Sequence, residues 1–192
     1  MKTIGIIGSA GRRDDRPRMN RHVYNKMVGI TRKHIIDFDI RRGVSGGAAW
    51  ADHVAVDLFL QGDLPELHLY LPAHFHNSRF IGGYGTPGSI TNYYHDLMNT
   101  KLARSSLREI QRAIDKGATY TVIPGFKQRN QGIAEDAELL LAFTFGKHSG
   151  FYNPREPGWN TALLAGLKPG GTSHTWNHSH AQLKIHQSLS TN

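Results

Sequence analysis

Thr3-Ile4-Gly5-Ile6-Ile7-Gly8-Ser9-Ala10-Gly11-Arg12-Arg13 is a β-branched apolar run that breaks into a glycine turn and then into two arginines. A continuous apolar stretch of this length, bounded by glycine, reads as a buried strand entering a tight turn. Such a strand needs partners on both sides, and the rest of the chain supplies candidates. Val23, Met27 and Ile30 recur at helical spacing and predict an amphipathic helix over residues 18–32. A second strand is expected at about residues 36–44, leading into Ser45-Gly46-Gly47-Ala48. Ala51, Val54, Ala55, Leu58 and Phe59 then form one apolar helical face. Leu67, Leu69 and Leu71 alternate with His68 and Tyr70, a third strand closed by Pro72.

Further on, Leu102, Leu107, Ile110, Ala113 and Ile114 mark a helix that stops at Gly117. Residues 119–123 form a fourth strand, 128–137 a short helix and 139–145 a nearly all-apolar fifth strand. Residues 146–158 read as a loop and 160–167 as a weak helical segment. Gly170-Gly171-Thr172 opens a last helix, and residues 184–189 are expected as a final edge strand. Strands alternating with helices imply right-handed βαβ units, hence an α/β fold whose mostly parallel sheet is covered on both faces. The whole chain, 1–192, suits a single domain that needs no covalent staple. Residues 73–99, rich in Gly, His, Asn and Tyr, are too long for an ordinary connection and are expected to be an active-site lid or an ordered insertion.

The charge balance narrows the partners. Lys+Arg number 23 against 15 Asp+Glu, a formal net charge of +8, which favours nucleic acid, free nucleotides or phosphorylated metabolites. The basic residues cluster only at Arg12, Arg13, Arg16, Arg18 and Arg21. With no cysteine, disulfides, thiolate metal sites and a cysteine nucleophile are excluded. No apolar run approaches the roughly 20 residues of a membrane helix. The first residues lack a long apolar signal core, so a cytoplasmic location is expected.

Ligand loops of such a sheet gather at the carboxyl ends of its strands, and four glycine-bearing motifs fall there. Gly8, Ser9 and Gly11 let the backbone turn sharply while Arg12 is placed to pair with phosphate. Gly46 and Gly47 stand between a strand and a helix, exposing helix-start amides beside the positive end of the dipole, with Ser45 Oγ as a further donor. Asp52, one turn later, faces the ligand or serves the helix dipole. Arg129 is expected to clamp a phosphate and Asn130 to cap a helix or bond a base. Glu135 and Asp136 follow and, with Asp52, are the carboxylates available for general-base or nucleophilic work. Gly170, Gly171 and Thr172 repeat the cradle, Thr172 capping a helix and donating to an oxyanion. Gly85-Thr86-Pro87-Gly88-Ser89 in the insertion has a similar character, and Tyr93 and Tyr94 are placed to close over a ligand. His74 and His76, and His174, His178 and His180, lack a zinc-site spacing, so no metal ligand and no cofactor is assigned. Magnesium bridging a bound phosphate stays open.

In order and position these motifs resemble the SLOG superfamily of Rossmann-like nucleotide-binding proteins. That group includes the Lonely Guy phosphoribohydrolases, the DNA-processing protein A family and molybdenum-cofactor-carrier-like proteins. Gly8-Ser9-Ala10-Gly11 is similar to its first-strand glycine turn. Val44-Ser45-Gly46-Gly47-Ala48 with Asp52 resembles the S-G-G-A-x-G-x-D segment of the DNA-processing branch, with Trp50 standing where that branch often has Gly. Arg129-Asn130 and Ala137-Glu138-Leu139-Leu140-Leu141-Ala142-Phe143 are similar to the R-N…A-D-x-L-I-A-F segment of the carrier-like branch. The resemblance implies a Rossmann-like three-layer α/β/α fold, a nucleotide or nucleoside phosphate as ligand, and a homodimer. It extends to hydrolysis of the N-glycosidic bond of a nucleoside 5′-monophosphate. The phosphoribohydrolases, however, carry P-G-G-x-G-T-x-x-E, whereas here Pro169-Gly170-Gly171 runs directly into Thr172 and no Glu follows. Only the backbone phosphate cradle therefore carries over. A non-catalytic sensor of a signalling nucleotide and a single-stranded DNA-binding protein are the alternatives.

Overall fold

The computed structural model describes residues 1–146, 149–152, 167 and 170–190. In chain order the first half contains β1 (Thr3–Gly8), α1 (Arg21–Asp37), β2 (Arg42–Ser45), α2 (His53–Gln61), β3 (Glu66–Leu71), β4 (Phe75–His76), β5 (Arg79–Phe80) and α3 (Pro87–Leu102). The second half contains α4 (Ser106–Asp115), β6 (Thr119–Val122), α5 (Phe126–Asp136), β7 (Leu139–Thr144), β8 (Gly150–Tyr152), α6 (Gly171–His178) and β9 (Leu183–Ser188). Among the described residues seven strands form one sheet in the order β6-β3-β2-β1-β7-β9-β8. Every neighbouring pair is parallel except the last, in which β8 runs antiparallel to β9.

The sheet divides the core by its two-residue period. Leu139, Leu141 and Phe143 of β7 join one apolar cluster with α1, α2 and α4, while Leu140 and Ala142 join Ile133 of α5 and Trp176 of α6 on the opposite face. Both faces being covered, β7 is a continuous apolar run without polar alternation. The expected three-layer α/β arrangement is therefore present, Rossmann-like in its mostly parallel sheet. Among the described residues no helix is long and apolar enough to cross a membrane.

Several boundaries differ from the sequence reading. The helix after β1 begins where Asn20 Oδ1 accepts from the Val23 amide and continues through Ile36, which is 72% exposed, so the second strand starts only at Arg42. The last strand is not an edge: β9 lies between β7 and β8. The edge is β8, within the stretch read as a loop. The helical segment expected at 160–167 lies outside the described residues, apart from Leu167. The insertion is ordered, holding the antiparallel β4–β5 pair and α3. Its Gly85–Ser89 stretch is a helix start, with Thr86 as N-cap and Pro87 at the first position, and not a phosphate cradle.

Candidate functional site

From β1 the chain steps outward through β2, β3 and β6, then crosses to the other side of β1 with β7 and β9. The switch point falls between β1 and β7, where loops leaving the two strands diverge and open a crevice. A cleft of about 460 Å³ lies there. Gly8, Ser9 and Arg12 line it from the β1 loop, Asp52 from the start of α2, Arg129 and Asn130 from α5, and Gly170, Gly171 and Thr172 from the start of α6. Segments far apart in sequence thus meet at one rim.

Three hydrogen bonds tie these segments together. Thr172 Oγ1 donates to the Gly8 carbonyl at 3.1 Å, and Asn130 Nδ2 donates to the Gly171 carbonyl at 3.1 Å. Arg129 Nη1 donates to Asp52 Oδ2, also at 3.1 Å, and both side chains are more than nine-tenths buried. Gly46 makes room for this pair: a Cβ there would stand 1.2 Å from Arg129 Nη1. Gly8 answers a different contact, since its Cβ would fall 2.2 Å from the Phe143 carbonyl of the neighbouring strand.

The two cradles differ in what they leave open. In the β1 turn the Ser9 amide donates to the Phe143 carbonyl, the Gly11 amide donates to Ser9 Oγ, and Ser9 Oγ donates to Asp15 Oδ2. The Ser9 and Gly11 amides of that turn are thus taken by the protein itself. At α6 the Gly170 amide donates to Ser173 Oγ, whereas Gly171 and Thr172 occupy the first turn, whose amides have no intrahelical acceptor. The positive end of the helix dipole is directed there as well.

Not every expected ligand residue reaches the cleft. Ser45 is fully buried and its Oγ donates to the Asp52 carbonyl at 2.8 Å, so it is no free donor. Gly46 and Gly47 stand behind the wall, and the Gly47 carbonyl accepts from His95 Nε2 at 3.0 Å. Gly11 backs onto the Trp50 indole, 2.8 Å from where its Cβ would lie. Trp50 has φ 66, the left-handed region that favours glycine, at the very position where the resemblance has Gly. Glu135 and Asp136 end α5 at the opposite edge of the sheet, Asp136 seven residues and about 10 Å along the helix beyond Arg129. Glu135 accepts from Gln131 Nε2, and Asp136 accepts from Tyr70 Oη at 2.7 Å and Arg42 Nη2 at 3.0 Å. Neither lines the cleft. The lining also includes Asp14, Asp15, Phe126 and Thr144, which sequence reasoning did not select. Thr144 ends the fifth apolar strand, a position the carboxyl-edge rule could have flagged.

A second charged group lies away from the cleft. Arg104 bonds both Asp57 and Glu109, Tyr24 Oη donates to Asp57 at 2.8 Å, and His53 Nε2 donates to Glu109 at 2.8 Å. Burial alone would raise the Glu109 carboxyl, but the bonds from His53 and Arg104 outweigh it and bring it down to about 2. His95, fully buried beside His53, is pushed down to about 3, chiefly by desolvation. His53, Asp57 and Glu109 hold ligand-type atoms within 4.8 Å of one another, yet the Arg104 guanidinium already bridges the two carboxylates.

Fold and cleft together define a Rossmann-like α/β protein with a solvent-open crevice at the topological switch point of its sheet. No protein-family model matches the chain. The uncharacterized protein R261 of Acanthamoeba polyphaga mimivirus is 36% identical over 149 residues, covering 77% of this chain and 70% of the viral protein. The chain belongs to the same family as that viral protein.

Proposed function

We propose that the cleft binds a nucleotide or a related phosphorylated ligand, its phosphate at the first turn of α6 and near Arg12. The observation that carries this reading is the convergence of the β1 loop, the α2 start, α5 and the α6 start on one crevice. A volume of about 460 Å³ suits a ligand of nucleotide size. Phe126 and Phe145 border the same space, their rings backed by the Arg12 and Arg18 guanidinium groups. A crevice of this volume suits one nucleotide, whereas single-stranded DNA needs a groove that tracks a backbone over several nucleotides.

Of the three carboxylates expected to serve N-glycosidic cleavage, only Asp52 borders the cleft, and it is paired with Arg129. This favours binding without turnover, as in a sensor or sequestering protein. Hydrolysis of a nucleoside 5′-monophosphate is the second reading, because Asp14 and Asp15 also border the cleft. Calorimetric titration with the four ribonucleoside 5′-monophosphates, followed by chromatography for released base, tests both. Binding without base release supports the sensor reading, base release supports the second, and absence of binding removes both.

A further inference from the structure

We infer that Tyr94, on helix α3 of the 73–99 insertion, sets the selectivity of the cleft for phosphorylated over unphosphorylated ligands by holding Arg12 in place. The inference rests on the nucleotide reading and adds to it a role for the insertion. The Arg12 guanidinium carbon lies 5.0 Å from the Tyr94 ring centroid and 4.9 Å from that of Phe126, bridging α3 and the first residue of α5 at the cleft mouth. Both contacts present an aromatic face to the cation, an arrangement that restrains the guanidinium without consuming its N–H donors. Among the described residues Arg12 makes no ion pair. Asp52, an acid of the same cleft, is committed to Arg129, and Asp15 accepts from Ser9 Oγ.

The rest of α3 braces the same loop. Lys101 Nζ donates to the carbonyls of Arg16 and Met19, the latter at 2.8 Å, and Arg16 Nη1 reaches Tyr93 Oη at 3.5 Å. An arginine on a free loop must be ordered when the ligand arrives, at a cost in conformational entropy. Here that ordering is built into the unliganded fold, and it favours only ligands carrying an anion for the guanidinium to grip. The insertion therefore stands behind Arg12 and, through it, determines what the site accepts.

The test compares each ribonucleoside 5′-monophosphate with its nucleoside by calorimetry and takes the ratio of their dissociation constants as the phosphate preference. Tyr94→Leu, which removes the ring, should lower that preference by about fivefold. Tyr94→Phe, which keeps the ring, should retain it. In an Arg12→Ala background Tyr94→Leu should cause no further loss. A Tyr94→Leu protein that keeps the wild-type preference, even with both ligands bound more weakly, overturns the inference alone, because a structural role weakens the two equally. Wild-type protein that binds no member of the panel removes the nucleotide reading and this inference with it.

Discussion

Arg129 and Asp52, 77 residues apart in sequence, form a buried ion pair at the floor of the cleft, with Nη1 donating to Oδ2 at 3.1 Å. The pair joins α5 to the start of α2 across the carboxyl edge of β2. Removing one partner strands a buried charge. Asp52→Ala should therefore lower unfolding free energy by about 3–5 kcal/mol, read by chemical denaturation. The double variant Asp52→Leu/Arg129→Met should recover much of that loss. Wild-type stability in Asp52→Ala would show that the pair contributes nothing.

Gly46 and Gly171 separate structure from binding. A methyl at Gly46 collides with the Arg129 guanidinium at 1.2 Å, whereas at Gly171 the nearest neighbour is Asn130 Nδ2 at 3.0 Å, the end of a flexible side chain. Gly46→Ala should destabilise the protein by displacing the ion pair. Gly171→Val should melt close to wild type and weaken nucleoside monophosphate binding by about tenfold, or ~1.4 kcal/mol. Thermal melts beside calorimetry check both, and equal affinity in Gly171→Val contradicts the placement of phosphate at α6.

Acid should weaken the fold in two stages. His95 is held neutral in the folded protein down to about pH 3, while the unfolded chain takes up that proton near pH 6.5. The unfolded state then binds more protons, so stability falls as pH drops below 6.5, by up to about 1.4 kcal/mol per pH unit for one such group. Glu109, down at about 2 when folded, adds a second loss as pH falls from about 4.5 towards 2. Denaturation between pH 7 and 5 should show a shallower slope for His95→Gln than for wild type. An unchanged slope would mean that His95 is not the group responsible.

Asp136 should matter to stability alone. Partly buried and bonded to Tyr70 and Arg42, it should cost about 0.5–1 kcal/mol on change to Asn and leave ligand affinity as it was. A loss of binding in Asp136→Asn would reopen the carboxyl end of α5 as part of the site.

The order of strands and helices was legible because β1 and β7 are buried on both faces and their apolar runs stop at small or polar residues. Ile36 misled because a β-branched residue on an exposed helix face carries the same local signal as one in a strand. Strand β8 escaped notice because three residues held by one neighbour leave no periodic pattern. The helix start at Thr86-Pro87 was readable from its capping chemistry and was obscured by the surrounding glycines. Within the site, glycine turns marked where loops bend but not which amides stay free. Ser9 and Ser45 look like donors in sequence, and only the fold shows them spent on Asp15 and Asp52. Glu135 and Asp136 share a helix with Arg129, yet helix length alone carries them to the far edge of the sheet.

The central claim is that phosphate sits where α6 begins. Backbone amide spectra of isotope-labelled protein, recorded while a nucleoside 5′-monophosphate is titrated in, test it residue by residue. The account predicts the largest shifts at Gly171 and Thr172, with Arg12 and Asn130 following and the amides of Glu135 and Asp136 unmoved. Saturable shifts that leave Gly171 and Thr172 unchanged while moving another surface would contradict it.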